Sequence, residues 1–160
     1  MIELAELQRQ SYEVARGVRG SWPEADALDE AGLADLLGRH RYCVLATGRP
    51  SGRATAAPVA FVAQGGSFWF ASVEGLRLRN LRSTPWASIV VIEGGLVAGG
   101  AAHRALTAEG PIELYEGDRF GSAFEPLRET WIARHGGPPD WAAALVELRP
   151  ERVFSYAARS

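Results

Sequence analysis

Arg77 and Asn80 lie three residues apart, flanked by Arg79 and Arg82, a grouping suited to gripping an anion. They belong to the stretch Phe68 to Pro85, which reads FWFASVEGLRLRNLRSTP. Its aromatic-rich opening is too short for a helix and reads as a strand. The pattern breaks at Ser72–Gly75 and resumes as a short helix, with Leu78 and Leu81 facing inward and Pro85 closing the unit. A strand that turns through small residues into a helix leaves backbone N–H groups unsatisfied, and these favour an anion. A guanidinium fork beside them matches phosphate oxygens. Phosphate binding is one reading of the stretch, and a solvated basic helix face is the other.

Other chemistries find less support. His40, His103 and His135 are scattered, with no partner at metal-ligand spacing, so no metal site is expected. There is no GxSxG elbow, and Cys43 sits in the middle of a strand, where cysteine serves as a small core residue. The carboxylates of Glu109, Glu113, Glu116 and Asp118 read as solvated surface, and no acid–base pair is visible. Gly94 to Gly100 has neither GxGxxG spacing nor a Walker lysine, and reads as a flexible connection. A binding surface with few catalytic side chains points to chemistry carried by a cofactor.

The elements that must position these residues follow from pattern. The chain has 160 residues, a formal charge of −2 and a pI near 5.9. That predicts one domain over 1–160 with a helical extension at 1–25, and neither nucleic-acid nor membrane partners. One cysteine and no basic leader or long apolar run fit a cytoplasmic location. A helix is predicted over 2–16, with Leu4, Leu7 and Val14 on one side. A second is capped by Asp26 or Asp29 and buries Leu33, Leu36 and Leu37. Strands are predicted at Tyr42–Thr47, Arg53–Val62, Ser67–Ala71 and Trp86–Glu93, joined too tightly for parallel crossovers. Ala105–Leu114 continues the set, with Gly110 marking a bulge or a close backbone approach. A helix over Asp118–Arg134 is interrupted at Pro126. Leu145–Leu148 and Val153–Tyr156 form one closing strand bent at Pro150. Several strands are apolar on both faces, so the helices and a second subunit must cover what the barrel interior does not.

The order of these segments resembles the pyridoxamine 5′-phosphate oxidase-like family of flavin-binding split barrels. Arg77, Asn80, Leu81 and Pro85 match its most specific segment, and Gly52, Arg53, Pro58, Val59 and Phe61 match a strand of the form Gly-Arg-x-x-x-x-Pro-Val-x-Phe. The resemblance implies an α+β, mainly β fold: a six-stranded antiparallel split β-barrel with flanking helices. It further implies a homodimer holding FMN at the subunit interface. Arg77, helped by Ser72 and Asn80, would hold the phosphate; Arg53, Thr55, Ala56, Ala57 and Pro58 would border the ring, and Arg104 and Ala105 would approach it. Relatives commonly carry Ser and Lys where this chain has Gly75 and Arg77. The C-terminal arginine motif of the true oxidases is also missing, so pyridoxal phosphate synthesis is not expected. Trp131 and Trp141 are candidates to roof the site from the partner, with core packing the alternative use of Trp131. The function implied is a flavin-dependent oxidoreductase passing hydride through N5 to or from a small molecule. Alternatives are an F420-dependent reductase, a non-catalytic flavin-binding sensor and a cofactor-free dimeric barrel, with haem the weakest reading.

Overall fold

Residues 2–97 and 100–158 are described by the computed structural model. Alternating and doubly apolar runs become β1 Tyr42–Gly48, β2 Ala54–Gln64, β3 Ser67–Ser72, β4 Trp86–Val97, β5 Gly100–Glu116, β6 Ala144–Leu148 and β7 Arg152–Ala158. Their pairings are all antiparallel, as the short connections require. The order β4-β1-β2-β3-β6-β5 closes on itself through the β4–β5 pair, and β7 adds to β5 outside that ring. The fold is thus the mainly β, six-stranded antiparallel barrel with flanking helices that the resemblance implies, carrying one extra strand.

Leu45, Phe61, Phe70, Ile89 and Leu106 fill the interior at 0–1% exposure. β3 and β6 are buried along almost their whole length. Their second face is covered by Phe124, Leu127 and Trp131 of the segment that follows β5. Burial on both sides is why these strands read as continuous apolar runs rather than alternating ones.

Five α-helices surround the barrel among the described residues: α1 Ile2–Val14, α2 Glu30–Arg39, α3 Leu76–Ser83, α4 Asp118–Phe124 and α5 Arg128–His135. α1 is shorter than its apolar pattern predicts, and Val14 is 78% exposed rather than inward; the chain tightens into a 3₁₀ turn at Arg16–Gly20. Asp29, not Asp26, caps α2, its Oδ1 accepting the Gly32 N–H at 2.8 Å. Pro126 lies in a 3₁₀ turn, Glu125–Leu127, between α4 and α5, where its missing N–H and ring break the helical ladder.

Two expectations are corrected. Leu145–Leu148 and Val153–Tyr156 are not one bent strand. β6 lies between β3 and β5, whereas β7 pairs with the earlier half of β5. Gly94–Val97 is strand, not flexible connection, because it is zipped to Gly100–His103 of β5. Ala98 and Gly99, in that same stretch, lie outside the described residues. No helix among the described residues is long and apolar enough to cross a membrane.

Candidate functional site

β2 is two strands in one. Its later part, Phe61–Gln64, pairs with β3, and its earlier part, Ala54–Ala60, pairs with β1. Over that earlier part it has no strand partner on its other edge among the described residues, so the barrel is split there. The Phe61 N–H bonds to the Arg41 carbonyl at 3.1 Å, which fixes the phase of the ladder. Residues 55, 57 and 59 therefore direct their backbone polar groups at β1, and residues 54, 56, 58 and 60 direct theirs at the open edge. Pro58 falls where no N–H is required of it. Side chains alternate independently of this. Thr55, Ala57 and Val59 become progressively more enclosed, while Ala54, Ala56 and Pro58 are exposed outside.

The β3–α3 turn lies against the same split. Leu78 and Leu81 are fully buried and anchor α3. Asn80, also buried, donates its Nδ2–H to Thr47 Oγ1 at 3.0 Å, and Thr47 pairs in register with Thr55. Thr55 itself is held by Arg49 Nε at 3.2 Å. At the start of α3, the Arg77 charge is near enough to act electrostatically on Cys43, whose register partner is Val59. From Val59 the inner face of β2 continues to Ala57 and Thr55, each about 7 Å further on. Ser72, fully buried, ends β3 at the start of the turn. The structure thus ties Asn80 through Thr47 to Thr55 and Ala57 beside the split, and places Ser72 and Arg77 at the two ends of the turn from β3 into α3.

Arg77 is the electrostatic anomaly of this group. Arg82 is occupied by Glu74 at 2.8 Å and by Glu116, and Arg79 is exposed. Those two suit a solvated basic face. Arg77 is half-buried, has no acidic partner among the described residues, and is pulled below the usual guanidinium range by that burial. Burial pushes the nearby Cys43 thiol up to about 12, with the Arg77 charge opposing the shift, so the cysteine stays protonated and is no nucleophile. The N-cap of α3, Gly75, has no capping side chain and its own N–H is held by the Glu74 carboxylate, while among the described residues no side chain takes the N–H groups of the first turn beyond it. A desolvated cation beside open N–H donors is a site that gains by taking up negative charge.

The remaining candidates differ in exposure and in partners. Arg53 is exposed in the turn before β2. The Arg104 guanidinium is engaged by Glu93 at 2.7 Å and Asp35 at 2.8 Å, and Ala105 is buried in β5. Trp131 is core; Trp141 is 58% exposed. Missed by the sequence reading is a buried polar knot in which Glu147 accepts from Ser67, Tyr115 and Arg149, each at 2.8 Å. Ser67 and Glu147 lie 80 residues apart, and no local pattern joins the group.

The family profile described as pyridoxamine 5′-phosphate oxidase matches residues 30–157, and the chain belongs to that family. A comparison with curated proteins gives no significant match. Similar solved structures include an FAD-binding protein from Mesorhizobium loti, at 19% identity and a TM-score of 0.65 over 84% of this chain and 96% of that one. A pyridoxamine 5′-phosphate oxidase-related, FMN-binding protein from Nostoc punctiforme matches at 19% identity and 0.55, over 79% and 82%. An F420 reductase matches at 23% identity and 0.55, over 75% and 94%. At such identities these likenesses establish the shared fold.

Proposed function

We propose that the chain binds FMN between two copies of itself and works as a flavin-dependent oxidoreductase on a small molecule. The observation that carries this reading is the half-buried Arg77 guanidinium, without an acidic partner among the described residues, beside the uncapped first turn of α3. Membership of the family and the FMN- and FAD-binding character of the similar structures support it. Arg77 and the first-turn N–H groups hold the phosphate, Ser72 supports the turn behind them with its hydroxyl donated to the Val73 carbonyl, and Asn80 braces α3 against β1 through Thr47. The open edge of β2 offers backbone groups of Ala54 and Ala56 to a flat ring, and the small Thr55 and Ala57 side chains let it come close. Arg53 adds positive charge at the end of that edge, suited to the anion of a reduced ring. Bound FMN would supply the two-electron chemistry, taking or giving hydride at N5. Arg104, tied to two carboxylates, is assigned no contact in this reading.

The test is cofactor identity. Purified protein should be yellow and release FMN, identified by mass spectrometry after denaturation. Each charge-assisted contact is worth about 1.5–3 kcal/mol, so Arg77→Gln should weaken FMN tenfold or more and Arg77→Glu should abolish binding. Normal FMN affinity in Arg77→Glu would overturn the phosphate assignment. F420 is the second reading, supported by the similar F420 reductase; a colourless protein that binds F420 and not FMN would establish it. Bleaching of the bound flavin by a nicotinamide donor separates an enzyme from a sensor.

A further inference from the structure

A second cavity, of about 470 Å³, lies where the end of α5 and the loop to Trp141 meet Tyr42 and Ala60. Tyr42 and Ala60 point outward from the barrel, so this cavity is on the other side of the β1–β2 pair from Thr55 and Ala57. Two guanidiniums, Arg41 and Arg134, and one imidazole, His135, line it, and no Asp or Glu does.

Arg134 is fixed in place. It donates to the carbonyls of Leu37 and His40, lies 5.4 Å over the Phe61 ring, and keeps its Nε buried without a partner. Burial first, and the charge of Arg41 second, pull it below the usual guanidinium range. Arg41 has no acidic partner among the described residues. Two like charges thus face one recess, and each raises the cost of the other until a negative group enters between them. His135 adds no charge there at neutral pH. Burial lowers it, its Nε2 lies 3.1 Å from the Phe61 carbonyl, and the neutral ring donates that bond.

The rest of the lining is flat and apolar. The Trp141 indole is 58% exposed and Tyr42 is 63% exposed, both unusual for rings of that size on a free surface. The volume suits a ligand of two fused rings. We propose that this cavity binds a small planar aromatic anion, its acidic group held by Arg41 and Arg134 and its ring laid against Trp141. This site is separate from the flavin reading, which rests on Arg77.

Calorimetric titration of the full chain with 2-naphthoate tests it, with the neutral isostere 2-naphthalenemethanol as comparison. The expected result is saturable binding of one naphthoate per chain, and at least tenfold weaker binding of the alcohol. Arg41→Gln should weaken naphthoate at least tenfold, and Trp141→Ala should weaken it several-fold. Arg41 is exposed and only its backbone carbonyl enters the ladder, so the variant should melt like the parent. Arg79→Gln, an exposed arginine of α3, controls for loss of charge alone and should bind as the parent does. Absence of saturable heat at millimolar naphthoate, equal affinity for the alcohol, or full affinity in both Arg41→Gln and Trp141→Ala would each overturn the proposal.

Discussion

A buried carboxylate states its own pH dependence. Burial pushes Glu147 up, but Arg149, Ser67 and Tyr115 together draw it below its ordinary value of 4.5. A carboxyl depressed by folding stabilises the protein at pH values above its unfolded pKa. That contribution fades as pH falls through the folded value, because protonation is then easier in the unfolded chain. Melting temperature should therefore fall as pH drops below the ordinary value of 4.5, and Glu147→Gln should flatten that limb while lowering the neutral plateau. Thermal melts of both proteins across this range check the claim; parallel profiles would refute it. Part of this scale was legible beforehand. The local signal of a helix start narrowed the α2 cap to Asp26 or Asp29, and that of a strand-to-helix turn singled out Arg77. The fate of Arg104 was hidden because Asp35 and Glu93 reach it only once α2, β4 and β5 are assembled.

Among elements, β5 carries the most topological work. Its residues 103–109 pair with β7 and residues 112–116 with β6, so the β6–β7 connection must cross it in between. Gly110 is that crossing. A Cβ there would come within 2.1 Å of the Arg149 carbonyl oxygen and 2.9 Å of the Glu151 nitrogen. Both are backbone atoms, pinned by the Arg149 N–H to Pro111 carbonyl bond at 3.0 Å and the Glu151 N–H to Glu109 carbonyl bond at 2.8 Å. Gly110→Ala should cost at least about 1–3 kcal/mol, the range for a forced overpacking, read as a lower urea midpoint with unchanged slope. A midpoint equal to the parent's would show that the crossing can relax. Capping gives a smaller effect: Asp29→Ala should cost about 1 kcal/mol by the same measurement. The glycine inside a strand pattern was a usable signal of close approach, and Pro126 of a helix break. Two things were not readable. Pro150 looks alike whether it bends one strand or separates two, and only pairing partners decide. Gly94 to Gly100 has turn composition, yet the β4–β5 ladder supplies enough bonds to hold Gly94, Gly95 and Gly100 in strand.

At the scale of the whole molecule, the outer face of β4, β1 and β2 remains unexplained by one chain. Trp86, Val44 and Ile92 lie on it, with Ile92 63% exposed, and the backbone edge of β2 beside them is open. Exposed apolar groups in such a contiguous band are uncommon on a monomer, and twofold self-pairing is the commonest way to cover them. The flavin reading needs the same event, since a ring on an open strand edge must be enclosed from its other side. Light scattering at micromolar concentration should give the mass of two chains. Ile92→Glu and Val44→Glu together should give one chain, because burying a carboxylate in an apolar interface costs several kcal/mol. Both positions are on the outward face, so the interior packing of Leu45, Ile89 and Val91 is untouched and the monomer should stay folded. If the split alone holds FMN, the dispersed variant will keep its cofactor; if two chains share it, colour and dimer will be lost at the same protein concentration. A parent protein that scatters as one chain with full FMN occupancy would remove the second copy from the site.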